Sequence, residues 1–91
     1  MFNEKRVLVT GGSRGLGFAA AKAFLDAGAK VAINGRTEES TNAGIAKLGS
    51  GERLFAAPGD VGTVAGCETV VGTAVDALGG LDVLVNSAGV A

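Results

Sequence analysis

Near the amino end of the chain, a run of mostly small residues, Thr10-Gly11-Gly12-Ser13-Arg14-Gly15-Leu16-Gly17, follows a short apolar stretch. Glycines at that density let a backbone turn sharply and let a diphosphate approach without meeting a Cβ. If a helix begins at Gly15, its first unpaired N–H groups and its positive dipole end would hold such an anion. A Walker loop is excluded, because the glycine five positions after Gly12 is Gly17 and Phe18 follows where Lys is required. A Gly-x-Gly-x-x-Ala string runs from Gly15 to Ala20, but it starts five residues after the apolar stretch ends, too late for a tight turn. The wider pattern Gly11-x-x-x-Gly15-x-Gly17 is the one read here. On their own these glycines suit a compact turn as well as a phosphate loop.

Other side chains bear on the same chemistry. An acidic residue at the end of the second apolar run would bind a ribose 2′-hydroxyl. That position reads Asn34-Gly35-Arg36, with no carboxylate and a guanidinium instead. Arg36 can pair in bidentate fashion with a 2′-phosphate, or it can be an ordinary solvated loop arginine. Asp60, after Pro58-Gly59, suits the cap of a turn. Thr10 either braces the loop through its hydroxyl or is merely a β-branched strand end. Cys67 reads as a core residue on a helical stripe rather than as a nucleophile. Glu38 and Glu39 are adjacent, so they fall on different helix sides and suit the helix dipole better than a carboxylate pair. With no His and one Cys, a zinc cluster is excluded.

Four short apolar runs, at residues 6–10, 30–34, 53–57 and 81–86, would position these groups. Each is continuously apolar rather than alternating, as strands buried on both faces of a parallel sheet are. One helical pattern lies in each gap, giving β-α-β-α-β-α-β. The first helix spans 15–27, with Lys22 and Asp26 on the solvent side, Leu16, Ala19, Ala20, Ala23, Phe24 and Ala27 on the sheet side, and Gly28 as its cap. The second is capped by Thr37 and stopped by Gly49, although Gly44 inside it costs about 1 kcal/mol relative to Ala. The third covers 63–78, with a stripe of Val64, Cys67, Val71, Ala74, Val75 and Leu78. Right-handed crossovers then predict strand order 3-2-1-4, with a crevice at the carboxyl ends of strands one and four.

Thr10-Gly11-x-x-x-Gly15-x-Gly17 resembles the cofactor fingerprint of the short-chain dehydrogenase/reductases, Rossmann-fold oxidoreductases that use NAD(H) or NADP(H). Asp60-Val61 is similar to that family's acid-hydrophobe pair beside adenine. Asn86-Ser87-Ala88-Gly89 resembles its Asn-Asn-Ala-Gly motif, with Ser87 in place of the second Asn, a change that puts the loop geometry in question. The lead-in Leu81-Asp82-Val83-Leu84-Val85 is also typical. The resemblance implies that Thr10, Gly11, Ser13, Arg14, Gly15, Leu16 and Gly17 surround the diphosphate side of the cofactor. It further implies that Arg14 joins Arg36 at a 2′-phosphate, favouring NADP(H) over NAD(H). Asp60 and Val61 would meet the adenine, and Asn86, Ala88 and Gly89 would steady the inner half.

Composition bounds the remaining alternatives. The chain has 91 residues, 47% apolar and 19% charged, with a net charge of −1, the reverse of a disordered signature. Eight basic against nine acidic residues leave no electrostatic footprint for nucleic acid or an anionic membrane. No run approaches the roughly 18 apolar residues of a membrane span, and the run at 7–10 is too short for a signal-peptide core. With a single Cys as well, the expectation is a cytoplasmic protein in a reducing compartment. The family's Ser, Tyr and Lys of hydride transfer come after the Asn-Asn-Ala-Gly motif, and this sequence has no Tyr. The expected unit, residues 1–91, is therefore the amino-terminal portion of a Rossmann domain, truncated after its fourth strand, that binds dinucleotide without turning over substrate. The competing reading is a non-catalytic half-Rossmann module that self-associates without nucleotide. With strand four at an open edge and one helix on one sheet face, the isolated chain is expected to form a homo-oligomer or to pair with a complementary carboxyl-terminal fragment. Light-scattering chromatography at micromolar concentration checks this, and a sharp monomer peak would refute it.

Overall fold

Parallel strand pairing organises the chain, and the computed structural model describes residues 4–13, 15–49 and 51–87. In chain order the elements are β1 (Arg6–Thr10), α1 (Gly15–Asp26), β2 (Lys30–Ile33), α2 (Glu38–Leu48), β3 (Leu54–Ala56), α3 (Val64–Leu78) and β4 (Val83–Asn86). The four strands form one sheet in the order β3-β2-β1-β4, as the crossover rule requires. Val7 lies opposite both Val31 and Val83, and Val9 opposite both Ile33 and Val85. Three strands are shorter than the apolar runs that form them. β2 stops at Ile33 because the Asn34 carbonyl turns to accept from the amide of Gly12 at 2.8 Å. β3 lacks Arg53 and Ala57, and β4 begins only after Leu81-Asp82.

Val7, Val9, Val31, Ile33 and Leu54 point to the face that carries α1 and α2, where Phe24, Leu25, Ile45 and Leu48 pack on them. Leu8, Ala32 and Ala57 point to the other face, under Val70, Ala74 and Leu78 of α3. β1 is therefore covered on both sides, which explains its continuous apolar sequence. Local chemistry sets the helix limits. The Thr37 hydroxyl accepts from the Ser40 amide at 3.1 Å, while the Thr37 amide donates to the Ser40 hydroxyl at 3.2 Å, closing a capping box. Thr63 caps α3 by accepting from the Gly66 amide at 2.9 Å.

Two helix faces differ from the sequence expectation. In α3 the buried residues are Val70, Ala74 and Leu78, whereas Val64 is 78% exposed, Val75 is exposed, and Cys67 lies at the surface rather than in the core. Gly66 stands four residues before Val70, and a Cβ there would overlap the carbonyl oxygen of Asp60. That contact holds the first turn of α3 against its own lead-in, a constraint invisible to a hydrophobic pattern. In α1 the buried residues are Gly17 and Ala21, while Leu16 is 74% exposed and Ala19 and Ala23 are exposed. Gly44 plays the same part in α2, since its Cβ would lie 2.9 Å from the Cα of Ser13. Its propensity cost is offset by that approach.

At the amino end of the sheet, Arg6 fastens β1 to the start of β4. Its Nε donates to Asp82 Oδ2 at 3.0 Å, its Nη2 to Oδ1 at 3.2 Å, and its Nη1 to the carbonyl of Gly79 at 3.0 Å. The Arg6 amide adds a bond to Asp82 Oδ2 at 2.9 Å. Hydrogen bonding from the Arg6 side chain, then from its amide, holds the Asp82 carboxyl at about 2, below its ordinary 3.8. A carboxyl lowered in the folded state stabilises above its unfolded pKa, and that contribution disappears as pH falls through the folded value. The stability difference between the protein and its Asp82→Asn variant should therefore shrink as pH falls from about 4 to about 2. Urea melts across that range check this; a difference independent of pH would contradict it.

Candidate functional site

The sheet reverses its winding at β1: the chain passes to β2 on one side and to β4 on the other, so no connection crosses above the gap between their carboxyl ends. A crevice of about 1140 Å³ opens there, lined by the loop after β1, the loop after β2, the β3–α3 loop and the end of β4. Thr10, Gly11, Ser13, Gly15, Leu16 and Gly17 form its floor and one wall. Gly11 and Gly15 have φ of 68° and 66°, left-handed values that favour glycine, and together they fold the loop back over the sheet edge. Gly17 then brings the first turn of α1 against that loop. A Cβ at Gly17 would overlap the Gly11 carbonyl oxygen and the Ser87 hydroxyl, and would lie 2.8 Å from the Gly11 carbonyl carbon.

Polar side chains lock this arrangement. The Thr10 hydroxyl donates to Asn86 Oδ1 at 2.9 Å, so it ties the end of β1 to the end of β4 rather than to the glycine loop. Ser87 donates twice to the Thr10 carbonyl, from its hydroxyl at 2.6 Å and from its amide at 3.2 Å. The replacement of Asn by Ser at this position therefore leaves β4 tied to the glycine loop. Asn34 is a contributor that sequence reading missed. It is 2% exposed, accepts from the Gly11 amide at 3.2 Å, and donates to the carbonyls of Ala57 at 2.8 Å and Gly59 at 3.0 Å. A polar residue closing an apolar run was the available signal, but it was read only as the absence of a carboxylate.

Arg36 and Lys47 line the α2 side of the crevice, with the hydroxyls of Thr37 and Ser40. Among the described residues, neither cation has a carboxylate within ion-pair distance. Asp60 and Val61 lie on the opposite wall with Cys67, Val71 and Leu84. Asp60 does cap a turn, since its Oδ1 accepts from the Gly62 amide at 2.8 Å, and it is exposed to the crevice as well. Thus Thr10, Gly11, Ser13, Gly15, Leu16, Gly17, Arg36, Asp60, Val61 and Asn86 converge on one cavity. The expectations for Arg14, Ala88 and Gly89 lie outside the described residues. The charges divide the cavity into a cationic side at α2 and a mixed acid-apolar side at α3.

An open parallel sheet in this order, with helices on both faces and a crevice at its switch point, defines a Rossmann-type α/β protein. The model of the short chain dehydrogenase family matches residues 5–91. The chain is 43% identical over 91 residues to glucose 1-dehydrogenase of Gluconobacter oxydans, covering 97% of this chain and 34% of that protein. It is 37% identical over 91 residues to D-beta-hydroxybutyrate dehydrogenase of Cupriavidus necator, covering 99% and 35%. The apo crystal structure of glucose dehydrogenase of Caenorhabditis elegans superposes with a TM-score of 0.83 at 37% identity, over 99% of this chain and 40% of that one. The 3-ketoacyl-(acyl-carrier-protein) reductase of Brucella melitensis, complexed with NADH, gives 0.83 at 28% identity, over 92% and 34%. The chain therefore spans about a third of the length of the curated relatives it matches, and it belongs to the short-chain dehydrogenase family.

The contact at Gly17 is backbone against backbone, so rotating a side chain cannot relieve it. Gly17→Ala should cost about 1–3 kcal/mol by overpacking, and each kcal/mol lowers Tm by roughly 4–8 °C in a domain of this size. Calorimetric melting checks this; an unchanged Tm would show that the loop yields freely.

Proposed function

We propose that these 91 residues are the dinucleotide-binding portion of an NADP(H)-preferring short-chain oxidoreductase acting on an alcohol or carbonyl substrate. The observation that carries the reading is the crevice itself: a glycine loop leading into α1 faces Arg36, which among the described residues has no carboxylate within ion-pair distance, and no acidic side chain stands at the end of β2. The close contact at Gly17 keeps the start of α1 against the loop, where its free amides can meet a diphosphate. In this reading Gly11, Ser13, Gly15, Leu16 and Gly17 hold the diphosphate, and Arg36 with Arg14 takes the 2′-phosphate. Asp60 and Val61 flank the adenine, while Thr10, Asn86, Ala88 and Gly89 steady the inner half. The nicotinamide, when bound, donates or accepts the hydride. These residues bind and orient it, and no proton-transfer role is assigned among them, since the sequence contains no Tyr. A cytoplasmic setting fits the single Cys67. The dehydrogenase and reductase names of the relatives support the alcohol–carbonyl class, and the NADH in the Brucella structure supports a nicotinamide dinucleotide as the ligand.

A second reading rests on Leu84, 54% exposed on the edge strand β4, and on Val64 of α3, 78% exposed. This favours a non-catalytic module that self-associates through the bare surface without nucleotide. Calorimetric titration separates the two. NADPH should bind more tightly than NADH by about tenfold, and Arg36→Glu should abolish or reverse that preference. Equal affinities would refute the NADP(H) assignment, and binding of neither nucleotide would leave the interaction module standing.

A further inference from the structure

Among the described residues, one polar side chain is buried and bonded to two different loops of the crevice. Asn34 follows the last residue of β2, and its amide group lies between the glycine loop and the β3–α3 loop. On one side stands a single donor, the Gly11 N–H; on the other stand the carbonyls of Gly35, Ala57 and Gly59 at 3.1, 2.8 and 3.0 Å. That distribution admits one orientation of the amide, with Oδ1 toward Gly11 and Nδ2 toward the carbonyls. The Asn34 backbone reinforces the link, its carbonyl accepting from the Gly12 amide at 2.8 Å and its amide donating to Val9 at 2.9 Å. Gly59 in turn donates its amide to the carbonyl of Gly35 at 3.0 Å. The first two amides of the glycine loop are thereby engaged by Asn34, whose side chain joins Gly11 to Gly59 beside a backbone link that runs from Gly12 through Asn34 and Gly35 to Gly59.

We infer that Asn34 is a positioning residue that holds the glycine loop and the β3–α3 loop in fixed relation, so that the two walls of the crevice engage the cofactor as one unit. The inference rests on the reading of the crevice as a dinucleotide site, but the mechanical link it describes exists without ligand. Asn34 lines the crevice, but its side-chain hydrogen bonds go to Gly11, Gly35, Ala57 and Gly59 rather than to the cavity's cations or carboxylate. Its effect travels through the backbone groups of Gly11, Ala57 and Gly59. A buried donor or acceptor left without its partner is costly, so the loops cannot separate without breaking this set together.

The test uses the 91-residue chain, its Asn34→Leu and Asn34→Ala variants, and Leu78→Ala as a control. Leu78 is buried at the carboxyl end of α3, the end of the molecule away from the crevice. Asn34→Leu keeps the side-chain volume and adds no charge, but offers neither an acceptor to Gly11 nor a donor to Ala57 and Gly59. Calorimetry well below each Tm should show NADPH binding weakened about tenfold or more in Asn34→Leu, with Leu78→Ala within about twofold of the parent despite its lower Tm. Equal losses in both variants, or no loss in Asn34→Leu, would overturn the inference, because a purely structural role would track stability alone. Amide hydrogen exchange supplies a readout without cofactor. In Asn34→Ala the Gly11 and Gly59 amides should accelerate together, and acceleration of Gly11 alone would also overturn it. Should a parent chain bind neither NADPH nor NADH, the dinucleotide reading fails while the exchange experiment still decides the link. Asn34→Ser replaces either variant that does not fold.

Discussion

Backbone hydrogen bonding at the end of β1 is the constraint on which the rest of the structure depends. β1 pairs in parallel with β2 on one side and β4 on the other, and the connections to them leave by opposite faces. The carboxyl end of the sheet therefore carries amides and carbonyls that no further strand residue can satisfy. Thr10, Ser87 and Asn34 supply the partners instead, each from a different strand end. Because these bonds run between loops rather than to water, the loops hold a defined cavity instead of collapsing into it. Leaving even one such buried group unpaired costs about 1–3 kcal/mol, a large share of the stability of a small domain.

Much of the architecture was legible in sequence because buried parallel strands write themselves as unbroken apolar runs. Three caps were legible too, since Thr37, Gly28 and Gly49 have side-chain or backbone reasons to stand where they do, whereas Thr63 was read inside the third helix and proves to be its cap. What failed was the rotation of α1 and α3. A pattern of apolar residues assigns the buried face to the largest side chains, yet these helices dock where a glycine lets backbone approach backbone. Cys67, Val64 and Leu16, all assigned to buried stripes by that pattern, lie at the surface. The Arg6–Asp82 pair was illegible for another reason, the 76 positions that separate its members. Of the candidate site, the glycine loop, Arg36, Asp60-Val61 and Asn86 were found from spacing and resemblance, and the fold gathers them into one crevice. Asn34 was seen only as a missing acid, because its work is done toward buried carbonyls that no linear reading places beside it.

Electrostatics divide the molecule lengthwise. At the amino edge, Arg6 and Asp82 spend their charges on each other. At the carboxyl edge, Arg36 and Lys47 face open space, with Asp60 across the crevice from them. A free cation in a concave setting draws anions more strongly than the same residue on a convex surface, since low-dielectric walls focus its field. The molecule's net charge of −1 thus conceals a local positive region on the α2 side of the cavity.

The glycine contacts of Gly17, Gly44 and Gly66 leave the helices no slack toward the loops they touch. Helix spacing is then a fixed dimension of the scaffold, set by main chain alone and indifferent to which residues project from it. Evolution working on such a frame would retune ligand choice by exchanging protruding groups at the rim, the position of Arg36 among them, while the cradle beneath keeps its shape.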